Sequence, residues 1–162
     1  RVAGRGDVAV TNNGGIRTEV RAGAVRWGDL HEVQPFENRL VVMTVRGDAL
    51  RKYLEGLVDG ASVRYHLSGV RVEYDPAAAA GARVRRVTMA DGTPLDLRRR
   101  YRVVMSDFLA AGGDGVSLAA DATREELNLV DLDVLVAYLR SRPGGRLVVD
   151  DALKAPRIIK VK

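Results

Sequence analysis

The sequence contains no cysteine and only two histidines, His31 and His66. Disulfide bridges and thiolate metal sites are therefore excluded, although this leaves the cellular compartment open. The two histidines are not spaced as a metal-binding pair, and the carboxylates show no metal-ligand pattern. No apolar run approaches the roughly 20 residues that a membrane span needs, so no membrane span is expected. Walker-type phosphate loops, serine-nucleophile elbows and Cys-His pairs are missing as well, so the sequence shows no catalytic machinery of its own.

What the sequence does contain is typical of a folded globular domain. Apolar residues make up 46% and charged residues 29% of the 162 positions, and the whole chain, 1–162, is predicted to form a single domain. The net charge of +5 is spread along the chain, with one dense basic cluster at 98–100. Scattered charge does not create the basic face that nucleic-acid binding requires, so no nucleic-acid partner is expected.

Predicted strands outnumber predicted helices. Apolar and alternating runs predict strands at 7–11, 38–47, 68–76, 101–109 and 155–162, and a hairpin over 83–96 that consists of a strand, an Asp-Gly turn and a short return. Helical spacing predicts helices at 49–58, with Asp48 as the N-cap, and at 129–142, and a single helical turn at 29–33. The fold class that follows is α+β (mixed α/β), with a mixed β-sheet containing hairpins and flanked by helices.

The segment TNNGGIR (11–17), which follows the first predicted strand, has a composition suited to binding. Gly14 and Gly15 allow the backbone to turn and to approach a ligand closely, while Asn12 supplies an amide donor and acceptor. Arg17 offers a planar fork of donors that matches a phosphate group. A polar β-turn with Arg17 in solvent explains the same residues, and composition alone favours that interpretation.

The chain has two phenylalanines, and each is predicted at the end of a strand or in a loop. Phe36 lies between Pro35 and Glu37, where it could pack onto the core or present its face to a flat ligand. Phe108 ends a predicted strand and is followed by a glycine-rich turn that contains Asp114. A sequence such as GGDG is common in turns, so neither loop identifies a site by itself.

Taken together, these segments resemble a known family. The blocks DVAVTNNGGIR, WGDLHEVQPFENRLVVMTVRGDALRKYLE, SGVRVEYDP, YRVVMSDFLAAGGDGV and PRIIKVK are similar, in order and spacing, to the C-terminal domain of the 5′-nucleotidase family. That family includes UDP-sugar hydrolases and 2′,3′-cyclic-nucleotide phosphodiesterases. The resemblance implies an N-terminal metallophosphoesterase domain, absent from this chain, that holds a divalent metal pair. It also implies that the chain begins after a helix bearing further arginines, and that the protein is periplasmic, secreted or on the cell surface.

The resemblance also implies roles for individual residues. Phe36 and Phe108 would sandwich the base, and Asn38 would hydrogen-bond the base edge or lie beside it. Asp114 would accept hydrogen bonds from the ribose hydroxyls. Four residues would line the same pocket, with Arg17 reaching the phosphate or ribose, Asn12 contributing its amide, and Gly14 and Gly15 letting the backbone close on the ligand. No residue of this chain is expected to be catalytic or to ligate a metal.

The position of Glu37 departs from the family, where a small residue often stands between the Phe and the Asn. Its carboxylate could favour a base with exposed amino donors, but a side chain pointing into solvent is the simpler expectation. The function expected from the resemblance is recognition of a nucleotide or nucleoside for a metal-dependent phosphohydrolase. One alternative is a non-catalytic cell-surface binding module on the same fold, and another is a sulfur-oxidation hydrolase, which the paired phenylalanines disfavour.

Overall fold

Two β-sheets form the framework of the chain in a computed structural model, which describes residues 4–59, 62–118 and 120–161. One sheet has five strands and the other has three, and α-helices lie between the strands along the chain. The architecture is therefore α+β with mixed sheets, as the sequence predicts. No helix among these residues is long and apolar enough to cross a membrane.

The larger sheet has the strand order β3-β1-β6-β2-β7. Its strands are β1 (Val8–Asn12), β2 (Arg39–Arg46), β3 (Tyr65–Ser68), β6 (Arg100–Ser106) and β7 (Thr123–Val130). The strands β1 and β6 are parallel, and the other three pairings in the sheet are antiparallel. Neither β3 nor β7 is among the predicted strands.

The smaller sheet has the order β5-β4-β8. It consists of β4 (Val70–Tyr74), β5 (Val84–Met89) and β8 (Ile158–Lys160). The predicted strand at 155–162 contains β8, although residue 162 lies outside the described residues. The predicted hairpin at 83–96 is present with a short return, in which Thr88 and Pro94 form an antiparallel bridge and the Leu95 N–H donates to Val87 O at 3.1 Å.

Gly69 carries the chain from the larger sheet to the smaller one. It is the one residue between β3 and β4, and its φ of +81° lies in the left-handed region that favours glycine. A Cβ at this position would run into the backbone oxygen of Asp7. The close approach of these two backbones leaves glycine as the residue that fits.

The helices are α1 (Trp27–Val33), α2 (Gly47–Leu57), α3 (Asp107–Ala110), α4 (Asp131–Arg140) and α5 (Asp151–Lys154). The predicted N-cap of the second helix is wrong, since Arg46 precedes the first turn and Asp48 lies within it. There the Asp48 carboxylate accepts a hydrogen bond from the backbone N–H of Ala49 at 2.8 Å and lies near the positive end of the helix. The predicted strand at 101–109 is too long, because the chain turns into α3 after Ser106.

The main apolar core lies around α2. The buried residues Leu50, Tyr53, Leu54 and Leu57 recur every three or four positions, and the helix contacts β2 and β6 of the larger sheet as well as β5 of the smaller one. Each such side chain contributes about 1.5–3 kcal/mol when it leaves water. The helix therefore joins the two sheets through one shared core.

One carboxylate is buried in this junction. Glu55, on α2, is 8% exposed and accepts hydrogen bonds from the backbone N–H groups of Arg83 at 2.5 Å and Val84 at 2.9 Å. Both donors stand at the start of β5. Glu55 therefore replaces hydrogen bonds that these two amides would otherwise make to water.

Candidate functional site

One edge of the larger sheet gathers the segments that carry the predicted site residues. The parallel strands β1 and β6, with Ala9 opposite Val104, both end at this edge. The antiparallel strand β2 begins there, because Leu40 lies opposite Ser106, and β7 ends there because it is antiparallel to β2. Four connections distant in sequence therefore meet at this edge, which we call the site edge and define as residues 12–17, 34–38, 107–115 and 131.

Asn12 and Asp114 meet at the centre of the site edge. Asn12 is the last residue of β1 and is 6% exposed, and its Nδ2 donates a hydrogen bond to Asp114 Oδ2 at 2.6 Å. The loop after β6 reaches back to β1 because Asp114 has a left-handed φ of +59°. The flanking Gly112 and Gly115 have positive φ values of +88° and +80°. The amide thus holds one carboxylate oxygen, and the exposed carboxylate keeps its second oxygen available to accept.

Two buried tyrosines feel the charge of Asp114. Tyr65 faces Asn12 across the β1–β3 ladder, and burial followed by the charge of Asp114 raises the pKa of its hydroxyl. Burial also raises the pKa of the Tyr53 hydroxyl, with smaller contributions from Tyr65 and Asp114. The negative charge of Asp114 therefore makes both phenols harder to ionise. Sequence reasoning did not place these tyrosines at the site, because Tyr53 belongs to an apolar helical pattern and Tyr65 to an unpredicted strand.

Arg17 packs over Phe36. Its guanidinium carbon lies 5.7 Å from the centroid of the Phe36 ring, and its Nη1 donates to the backbone oxygen of Gly14 at 3.2 Å. The backbone N–H of Arg17 also donates to Val33 O at 2.9 Å, which fixes the loop against the end of α1. Phe36 is 54% exposed, so the interpretation in which this ring packs onto the core is wrong.

Gly14 and Gly15 form a short 3₁₀ turn directly after Asn12. A Cβ added at Gly15 would lie 2.9 Å from Asn12 Oδ1, so the missing side chain lets the turn fold against the Asn12 amide. The next residue, Ile16, closes the turn through its N–H, which donates to Asn13 O at 3.0 Å. The glycines therefore support Asn12, while direct contact of their backbone with a ligand stays a prediction.

Phe108 lies at the start of α3, in the segment of the site edge that follows β6. The helix is capped by Ser106, whose Oγ accepts from Leu109 N at 3.2 Å. The ring is 47% exposed and rests on Gly113, where an added Cβ would lie 2.6 Å from the ring carbons Cδ1 and Cζ. The glycine-rich loop thus contains Asp114 and also supports the Phe108 ring.

Asn38 is held by a residue that sequence reasoning missed. Its Nδ2 donates to Asp131 Oδ2 at 3.2 Å, and the backbone N–H of Asp131 donates to Asn38 O at 3.0 Å. The other carboxylate oxygen of Asp131 accepts from Leu132 N at 2.8 Å, at the start of α4. Burial raises the pKa of the Asp131 carboxyl, and nearby Asp107 adds to that effect, while the hydrogen bonds from Asn38 and Leu132 lower it.

Two further observations concern the residues around the site. Glu37 is exposed, as expected for a side chain pointing into solvent. Its φ of +50° lies in the left-handed region. Across the ranges 4–59, 62–118 and 120–161, no group of three or more His, Cys, Asp or Glu side chains is arranged to hold a metal ion. These residues therefore do not fit a divalent metal pair, which the family resemblance assigns to a separate N-terminal domain.

Comparison with known proteins shows the family to which the chain belongs. A family profile described as 5′-nucleotidase, C-terminal domain, matches residues 1–121. The cell wall protein Lmo0130 of Listeria monocytogenes is 29% identical over 95% of this chain and 21% of its own length. The trifunctional nucleotide phosphoesterase protein YfkN of Bacillus subtilis is 30% identical over 82% of this chain and 10% of its own length.

The crystal structure of a 5′-nucleotidase precursor from Thermus thermophilus matches with a TM-score of 0.83 and 33% identity, over 98% of this chain and 32% of that one. This chain therefore spans from a tenth to about a third of the length of these three proteins. The predicted family and fold are confirmed, and the chain belongs to the family of 5′-nucleotidase C-terminal domains.

Proposed function

We propose that the chain is the nucleotide-recognition domain of a 5′-nucleotidase-type phosphohydrolase. In this proposal it binds the base and ribose of a nucleotide, while a metallophosphoesterase domain of the same polypeptide hydrolyses the phosphate ester. The observation that carries the proposal is the site edge, which gathers two half-exposed phenylalanine rings, a carboxylate, two amides and a guanidinium.

Phe36 and Phe108 are the residues proposed to hold the base. Phe36 precedes β2 and Phe108 follows β6, so both lie at the same end of this antiparallel pair, and each ring keeps about half of its surface in solvent although it is anchored by a neighbour. Stacking between an aromatic ring and a base contributes about 1–3 kcal/mol and tolerates any base, because every base has a π-face. Two such rings suit a flat heteroaromatic ligand.

Asp114 is proposed to bind the ribose. An ionised carboxylate is an acceptor with two oxygens, and a cis-diol offers two hydroxyl donors. Asn12 occupies Asp114 Oδ2, which fixes the direction of the group and leaves Oδ1 for the sugar. Arg17, exposed beside Phe36, is proposed to reach the phosphate or the ribose, for which its planar fork of donors is suited.

Activation of water is assigned to the other domain in this proposal. The described residues of the chain do not fit a divalent metal pair, so no hydrolytic step is derived from them. A location outside the cytoplasm, in the periplasm, in the medium or at the cell surface, is part of the same proposal. It is supported by the similarity to a cell wall protein.

Titration of the chain with adenosine and AMP tests the proposal. Phe36→Ala and Phe108→Ala should each weaken binding by about 1–3 kcal/mol, which is the loss of one stacked ring. Tyr138→Ala removes a ring that is 41% exposed, about 10 Å along α4 from Asp131, and should leave binding unchanged. Equal affinity in the wild type and both phenylalanine variants would contradict the base sandwich. Absence of any binding by the wild type would instead favour a non-catalytic surface module on this fold.

A further inference from the structure

We infer that Asp131 is a positioning residue that fixes the orientation of the Asn38 amide, so that the site prefers bases presenting an exocyclic amino group beside a ring nitrogen. Adenine and cytosine have this arrangement, whereas hypoxanthine and uracil carry an oxo group in its place. The inference rests on the proposed function, because it concerns the base that lies between Phe36 and Phe108. Its evidence is independent of the phenylalanines and comes from the contact between Asn38, which precedes β2, and Asp131, which begins α4.

The orientation of the amide follows from the chemistry of its partner. An ionised carboxylate can only accept hydrogen bonds, so the group of Asn38 that faces Asp131 must be the donor. The 3.2 Å contact from Asn38 Nδ2 to Asp131 Oδ2 has this arrangement. Rotating the amide by half a turn would place Asn38 Oδ1 against the carboxylate, which brings two acceptors together without a proton between them.

Asp131 itself has little freedom to move away. Its Oδ1 accepts from Leu132 N at 2.8 Å, and its backbone N–H donates to Asn38 O at 3.0 Å. The two residues are therefore joined by one backbone and one side-chain hydrogen bond. The start of α4 needs Oδ1 alone, so Oδ2 is free to hold Asn38.

The opposite edge of the Asn38 amide then offers a defined pattern. Its Oδ1 accepts no hydrogen bond from the residues that the structure describes, and its Nδ2 retains a second proton. An asparagine amide with an acceptor beside a donor complements the amino group and adjacent ring nitrogen of adenine. Cytosine offers the same donor and acceptor pair. An oxo group at that position would meet Oδ1, and the two acceptors would repel each other.

A matched pair of nucleosides tests the inference. Adenosine and inosine stack alike but differ at purine C6, where adenosine has an amino group and inosine an oxo group with a proton on N1. Chemical-shift titration of the whole chain, followed at backbone amides and at the Asn38 side-chain amide, gives both dissociation constants. Wild type should bind adenosine about five- to tenfold more tightly than inosine, the value of roughly one hydrogen bond.

Asp131→Asn is the informative variant. Its single amide oxygen can keep the Leu132 N–H, which leaves an NH2 donor facing Asn38, so the Asn38 amide is no longer held in its wild-type orientation and can turn to accept through Oδ1. The adenosine-to-inosine ratio should fall to about one, with adenosine weaker and inosine unchanged or tighter. Asn38→Ala should also bring the ratio of the two affinities to about one. The double variant Asn38→Ala/Asp131→Asn should have the same ratio as Asn38→Ala alone. Asp133→Asn, an exposed carboxylate in the same helical turn, should leave the wild-type ratio intact.

The outcomes separate this inference from the function on which it rests. Binding of both nucleosides with equal affinity by the wild type, still dependent on Phe36 and Phe108, would overturn the inference and leave the proposed function standing. A wild-type preference that persists in Asp131→Asn would overturn the positioning role. If that variant does not fold, the wild-type ratio compared with Asn38→Ala decides the matter, since an unchanged ratio refutes any role for the amide. Failure of the wild type to bind either nucleoside refutes both proposals.

Discussion

A methyl group added at Gly113 should weaken nucleoside binding by displacing the Phe108 ring. The Cβ of alanine would lie 2.6 Å from Phe108 Cδ1 and Cζ, whereas carbon atoms in contact are normally about 3.5–4.0 Å apart. The ring must therefore retreat by about 1 Å or rotate away from the position in which it would stack on a base. Loss of one stacked ring corresponds to about 1–3 kcal/mol, a reduction in affinity of roughly 5- to 150-fold.

The stability of the fold should change much less than the affinity. Phe108 is 47% exposed, and Gly113 is not among the residues with a positive φ, so the substitution moves a surface ring without straining the backbone. We expect the free energy of unfolding of Gly113→Ala, measured by chemical denaturation, to lie within about 0.5 kcal/mol of the wild-type value. Titration with adenosine then measures the effect on the site alone.

The matched control is Gly28→Ala, in α1, where an added Cβ meets nothing within 4 Å. It should keep wild-type affinity and gain up to about 1 kcal/mol in stability, because alanine favours the helix. Wild-type affinity in Gly113→Ala, measured on protein with an undisturbed unfolding transition, would refute the reasoning that Phe108 stacks on the ligand from its present position.

Two predictions concern buried polar groups outside the ligand contacts. Glu55→Gln turns one of two accepting oxygens into a donor facing the N–H of Arg83 or Val84, and should lower the free energy of unfolding by about 1–3 kcal/mol. As a control, Glu125→Gln at an exposed position should change the free energy of unfolding by less than about 0.5 kcal/mol. Equal changes in the two variants would contradict the prediction. Burial raises the pKa of Tyr53 above its ordinary value of about 10, so the folded state binds this proton more tightly and the free energy of unfolding should fall as pH rises above about 10. Tyr53→Phe should reduce that alkaline loss in denaturation curves at about pH 9, 10 and 11; identical pH profiles for variant and wild type would show that the phenol does not contribute.

Apolar periodicity was sufficient to predict the elements that are buried on at least one face. Strands β1, β2, β4 and β6 and helix α2 all carry several buried apolar residues that belong to the core, whereas α4, also predicted, buries Leu132 alone among its described residues. Strand β7 was missed because its sequence, TREELNLV, is exposed at most positions and reads as a charged surface segment. Its strand conformation comes from backbone pairing with β2, and that pairing depends on a neighbour far earlier in the chain.

The same cause explains which site residues the sequence revealed. Asn12, Arg17, Phe36 and Phe108 lie at or beside the ends of predicted strands, so their motifs could be read and compared with a family. Asp131 could not be placed, because its position depends on β7 ending beside the start of β2. The roles assigned to the residues at the site edge stay predictions until the titrations above are performed.

The side chains proposed to touch the ligand contribute little to the core that holds the domain together. Phe36, Phe108, Arg17 and Asp114 are exposed or half-exposed in the connections between strands, whereas the buried cluster is built mainly from the strands and α2. Substitutions at exposed loop positions typically change stability by less than about 0.5 kcal/mol. Libraries that randomise these positions should therefore yield mostly folded variants, and ligand preference on this scaffold can be selected almost independently of thermostability.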